Sequence, residues 1–126
     1  MKNNQNALSK EQLESVYTLY SNGHFQKAIN KIKALNDDYP NSPILFNIIG
    51  ACYKELGQLE GAAKMFEAAV SIQPNYAEAH FNLGAILKAL GNDSAAVESY
   101  KKAIAITPNY PDAHNNLGTA LHDLGQ

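Results

Sequence analysis

Asn82 and Asn116 stand thirty-four residues apart in a chain of 126 residues. A primary amide both donates and accepts a hydrogen bond, so two amides held at a fixed interval can grip the backbone of an extended peptide whatever its side chains. His80 and His114 keep the same interval, which raises the question of a metal. Ligands of one ion must come within about 2 Å of it, and residues so far apart in a regular array do not. His122 lies two helical turns beyond His114, so that pair cannot chelate either. These histidines are expected to serve packing at a helix interface. Cys52 is the single cysteine and sits between apolar neighbours, which predicts a buried, inert thiol. Nucleophile motifs, phosphate-cradling glycine loops and paired catalytic carboxylates are absent from the sequence, so no enzymatic activity, metal or cofactor is expected.

The elements that carry these residues are announced by Pro40, Pro74 and Pro108, spaced 34 and 34 residues apart and each followed by asparagine. Units starting three residues after each proline run over 9–42, 43–76 and 77–110, with a shortened unit at 111–126. In register between the second and third units are Gly50 with Gly84, Leu56-Gly57 with Leu90-Gly91, Ala62 with Ala96, Phe66 with Tyr100, and Ala69 with Ala103. Leu83, Ile86, Leu87 and Leu90 recur at spacings of three and four, as do Ala96, Tyr100, Ala103 and Ile104, which predicts two amphipathic helices per unit. Gly91 opens the turn between them, and Pro108 closes the second helix because it lacks an amide hydrogen. Ser9 with Gln12, and Ser42 before Pro43, are helix-start signals. Glycine inside a helix costs about 1 kcal/mol relative to alanine, so Gly50, Gly84 and Gly118 imply close approach of a partner helix. Ala62 and Ala96 are expected to face Gly50 and Gly84 across the hairpin.

This arrangement of small residue, alanine, aromatic, alanine and proline resembles the tetratricopeptide repeat, and the likeness runs through nearly everything from Ser9 onward. The first unit departs from it, placing Val16 and Ile32 where the small residue and the aromatic belong. The resemblance implies an all-α, right-handed solenoid of antiparallel helix pairs whose first helices line a concave, peptide-binding groove. In the family the groove residues come from positions two, five, six, nine, twelve and thirteen of a unit. Carried onto this sequence, they give Glu78, Phe81, Asn82, Ala85, Lys88 and Ala89 in the third unit and Ile44, Asn47, Ile48, Ala51, Lys54 and Glu55 in the second. The last unit adds Asp112, Asn115, Asn116, Thr119, His122 and Asp123. Asn47, Glu78, Phe81, Asn82, Lys88, Asn115 and Asn116 are the leading peptide contacts. Asn82 and Asn116 are similar to the asparagine ladder of the O-GlcNAc transferase repeats, with Ile48 interrupting it. Some members grip the acidic tails of chaperones with lysine, asparagine and arginine. Here the corresponding positions hold Asn47, Ala51, Asn82, Asp112 and Asn116, and only Asn82 matches, so acidic tails are not expected ligands. The divergent start resembles the N-terminal repeats of bacterial proteins that continue into a sulfotransferase or glycosyltransferase domain.

Composition sets the remaining bounds. Hydrophobic residues make up 45% and charged residues 17%, which suits one folded domain, with residues 1–8 expected to be disordered ahead of a single solenoid at 9–126. A net charge of -2 offers no excess of cations for phosphates, so nucleic acid is not an expected partner. The first residues contain no apolar run suited to a secretory signal, and no stretch approaches the roughly 20 apolar residues that span a bilayer, so no membrane partner is expected. With one cysteine and no signal, a reducing cytoplasm is the expected location, and the sequon at Asn92-Asp93-Ser94 is read as chance. Leu117, Leu121 and Leu124 give the last helix an apolar face, so the array is expected to continue past Gln126 or to stack weakly, head to tail, on another copy. The expected partner is a protein or an extended peptide.

Overall fold

Ser9 starts the first helix: its hydroxyl accepts from the Gln12 amide at 3.1 Å, and the Gln12 side chain accepts from the Ser9 amide at 2.9 Å. That reciprocal pair satisfies two amide groups the helix cannot satisfy itself. The computed structural model describes residues 8–125. Among them are seven helices: α1 (Lys10–Ser21), α2 (Phe25–Asp38), α3 (Pro43–Glu55), α4 (Leu59–Ile72), α5 (Ala77–Ala89), α6 (Asp93–Ile106) and α7 (Pro111–Asp123). Residues 1–7 of the segment expected to be disordered lie outside the described residues, and Leu8 packs against the first core cluster. The chain is an all-α solenoid of antiparallel helix pairs: α1–α2, α3–α4 and α5–α6, with α7 laid against α6. No helix among the described residues is long and apolar enough to cross a membrane.

Each hairpin turn needs a left-handed residue, and Gly91 supplies it at a φ of 85°. The Asn92 amide then reaches back to the Leu87 carbonyl at 2.8 Å, closing the end of α5 before α6 begins. Asn92 also caps α6, its side-chain oxygen accepting from the Ala95 amide at 3.3 Å.

The core adds an aromatic ring to the expected partners of the helical glycines. A methyl group on Gly50 would lie 2.7 Å from the Phe66 ring, and one on Gly84 would lie 2.8 Å from the Tyr100 ring. The helices come together so that an aromatic ring lies flat over each glycine, and it is these rings that press on the glycines most closely. Ala62 and Ala96 are fully buried beside them, small because the same interface is tight. The first hairpin reaches a different solution. Val16 and Ile32, both buried, put a larger residue than glycine opposite a smaller one than the aromatic ring.

Curvature follows from which helices touch. α3 contacts α5, and α5 contacts α7, whereas α2, α4 and α6 make no comparable contact with one another. The odd-numbered helices therefore occupy the tighter, inner side of the stack, and their outward-turned residues form its concave face.

Candidate functional site

Two polar contacts between neighbouring inner helices share one offset. The Asn82 amide nitrogen donates to Asn47 Oδ1 at 3.0 Å, and Lys88 Nζ donates to Asp123; both pairs are 35 residues apart. Neighbouring inner helices thus lie side by side with a shift of one residue beyond the repeat. Asn47, expected to meet a ligand itself, is 5% exposed. Its role in the structure is to hold Asn82, because burial closes it to a ligand and its oxygen takes the Asn82 hydrogen. With its nitrogen so engaged, Asn82 turns a carbonyl oxygen with no protein partner among the described residues.

Asn116 is held differently. Its nitrogen donates to the Tyr100 hydroxyl at 3.4 Å, and the two residues line a hollow of about 280 Å³ with Ala85, Lys88 and Thr119. Burial pushes the Tyr100 hydroxyl above its ordinary pKa, with Asn116 and Lys88 opposing the shift, so the phenol stays protonated at neutral pH. Asn115 is exposed, and its backbone carbonyl accepts from the Thr119 hydroxyl at 3.2 Å. Lys88 is bound up in ion pairs: Asp93 lies 3.6 Å away and Asp123 nearer. Hydrogen bonding with Asp123 raises the Lys88 pKa, and the same contact lowers that of Asp123. Lys88 therefore joins two units and offers little free charge to a ligand.

Phe81 stacks on Tyr110, with centroids 5.1 Å apart and planes 28° from parallel, and tilts against Tyr100 at 5.9 Å. Glu78 is exposed near the middle of the face, in a depression of about 130 Å³ that also holds Tyr17, Tyr20, Asn47, Lys54 and Asn82. Two residues absent from the sequence-derived groove complete this region. Tyr76 and Tyr110 each precede an inner helix, as the last residue of a unit, and reach back to position five of that same unit: Tyr76 to Asn47, and Tyr110 to Phe81. Burial and the charges of Glu78 and Tyr17 push the Tyr76 hydroxyl up to about 12, while the neighbouring Asn47 amide works the other way. The repeated Pro-Asn-Tyr at 74–76 and 108–110 was the signal available for them.

The histidines serve the scaffold. His80 Nε2 lies 2.7 Å from the Pro74 carbonyl, and His114 Nε2 lies 2.8 Å from the Pro108 carbonyl. A carbonyl can only accept, so each Nε2 carries a proton and ties the loop to its helix. No group of three or more potential metal ligands occurs among the described residues. Cys52 is fully buried, and burial pushes its thiol up to about 11. Such a thiol is inert at neutral pH.

The family model described as TPR repeat matches residues 50–91 and 86–125. No curated protein matches the sequence. Among solved structures, the Sgt2 TPR domain from Aspergillus fumigatus is similar with a TM-score of 0.88 and 24% identity, over 96% of this chain and 83% of that one. The first TPR of Spaghetti (RPAP3), bound to an HSP90 peptide, gives a TM-score of 0.88 and 23% identity, over 96% and 98% of the two chains. MamA gives 0.85 and 24%, over 90% of this chain and 67% of MamA; a second MamA structure is spanned over 62% of its length. At these identities the likeness speaks for the fold.

Proposed function

The chain belongs to the tetratricopeptide-repeat family, and from that premise we propose that it is a non-catalytic scaffold that binds an extended peptide segment of a partner protein along its concave face. The observation that carries this reading is the contact of α3 with α5 and of α5 with α7, with the Asn82 carbonyl on α5 and Asn116 and Thr119 beside the hollow on α7. Amides set at a repeat interval suit the periodic N–H and C=O groups of an extended backbone. The RPAP3 domain of similar fold holds a peptide, which supports the class of ligand. The ligand here is not an acidic chaperone tail, because Asp112 and Glu78 would repel its carboxylates. Nucleic acid is excluded from the proposal by the net charge of -2. With each net hydrogen bond contributing ~0.5–1.5 kcal/mol against the cost of association, this stretch of repeats alone should bind in the micromolar to millimolar range.

A photocrosslinker placed at Thr119, on the concave face, should capture a partner in cells that the same crosslinker at Lys102, exposed on α6, does not. Equal capture from both positions would remove the groove from the account. A second reading is self-assembly through α7, favoured by the open space over Gly118 and the exposure of Leu124. In that case mass would rise with concentration, and Leu124→Glu would abolish the rise. We place the chain in the bacterial cytoplasm, as an accessory to a larger protein that carries a sulfotransferase or glycosyltransferase domain; the gene sequence beyond Gln126 tests the last point.

A further inference from the structure

The charge on the concave face is unevenly distributed. Lys88 is held by Asp93 and Asp123, so the charges around it are paired with one another. Toward the N-terminal side, Glu78 makes no ion pair among the described residues and stands among tyrosines. Tyr17, which is 45% exposed, and Tyr20 share its depression; Tyr76 lies two residues before it, beside Asn47; and Tyr110 stacks on Phe81, three residues beyond it. These four tyrosines come from one helix, α1, and two loops, in three different units. Burial raises the pKa of all four hydroxyls, and the charge of Glu78 adds to each. Two protonated phenols, Tyr17 and Tyr20, share the depression with the Glu78 carboxylate. That is the chemistry of a cation site: the carboxylate supplies the charge, and the ring faces attract a guanidinium or ammonium by their quadrupoles. Lys54 lines the same depression and opposes it, which makes Lys54 a built-in control.

We propose that Glu78, with Tyr17 and Tyr20, forms a subsite for the cationic side chain, arginine or lysine, of an extended basic peptide. This rests on the groove reading above: the asparagines hold the backbone, and the carboxylate with its two tyrosines selects the residue. It also gives the preference a sign opposite to that of an acidic tail.

The test separates the subsite from the groove. N-acetyl-arginine methylamide and its citrulline counterpart, which has the same shape without the charge, are titrated into isotope-labelled protein and followed by backbone amide shifts. The arginine compound should move the amides around Tyr17, Tyr20 and Glu78 and saturate, and the citrulline compound should not. Glu78→Gln should weaken the response about threefold, Tyr17→Ala by a similar factor, and Lys54→Gln should strengthen it. Glu78 is exposed, so the variant's own spectrum verifies its fold. Equal responses to the two compounds, or an undiminished arginine response in Glu78→Gln, would overturn the subsite. A cation-free Gly/Ser peptide that still shifts amides at Asn82 and Asn116 would then leave the groove standing alone. An arginine response without any peptide response would instead sustain the subsite and remove the groove.

Discussion

Gly84 and Gly118 hold the same position in consecutive repeats, in the middle of α5 and α7. Over Gly84 lies the buried ring of Tyr100, so close that an added methyl group would stand 2.8 Å from it. Over Gly118 nothing lies within 4 Å. The same residue type thus meets a ring at one site and, among the described residues, nothing at the other. What fixes the role of a repeat residue is the helix that follows it, and α7 has no such helix among the described residues. The same contrast runs through the leucines: Leu83, the residue before Gly84, is buried, and its counterpart Leu117 is half-buried.

Substitutions on either side of this contrast should differ in size and in sign. Phe66→Ala removes the ring over Gly50 from a fully buried site and should cost about 3–5 kcal/mol in a denaturation experiment, the largest single effect expected. Gly84→Ala should cost about 1–3 kcal/mol despite the better helix propensity of alanine, because the buried Tyr100 ring would have to shift from its packed position. Gly118→Ala should instead stabilise by roughly 0.5–1 kcal/mol, the helix-propensity gain with no clash to offset it. A loss of stability in Gly118→Ala would break the comparison by showing that something covers α7 in solution.

Smaller effects sharpen it. The Lys88–Asp123 pair ties α5 to α7 and is exposed. Asp123 has its pKa lowered in the fold, so its contribution is complete above the ordinary carboxylate pKa and is lost as pH falls through the depressed value. The pH dependence of stability on the acid side should therefore flatten slightly in Asp123→Asn. The Cys52 thiol, buried and with its pKa pushed up to about 11, should react with an aromatic disulfide reagent only as fast as the protein opens. Labelling at the rate of a free thiol would show that the first two units separate readily.

The repeat interval, the helix pairs and their capping were legible in the sequence because they are local: Ser9 with Gln12, Gly91 after Leu90, and proline at each unit's end need no knowledge of distant residues. The groove was legible only as a set of positions. That Asn47 turns inward to hold Asn82, and that Lys88 is spent on Asp123, depends on the lateral shift between neighbouring inner helices, which no single unit records. The rings over Gly50 and Gly84 were not legible for a related reason. Small residues on two helices suggest mutual contact, but a flat ring fills the same space. Tyr76 and Tyr110 precede their helices, outside the periodic positions from which the groove was drawn, although their motif repeats.

The central claim is that the inner helices form the recognition surface, and opposed blocking substitutions test it most directly. Ala85→Arg fills the hollow beside Lys88 and Asn116, and Ala105→Arg adds the same bulk and charge to the exposed side of α6. Titrated against the partner captured from Thr119, Ala85→Arg should weaken binding about tenfold or more and Ala105→Arg should leave it unchanged. Undiminished binding by Ala85→Arg, or equal loss in both, would contradict the account.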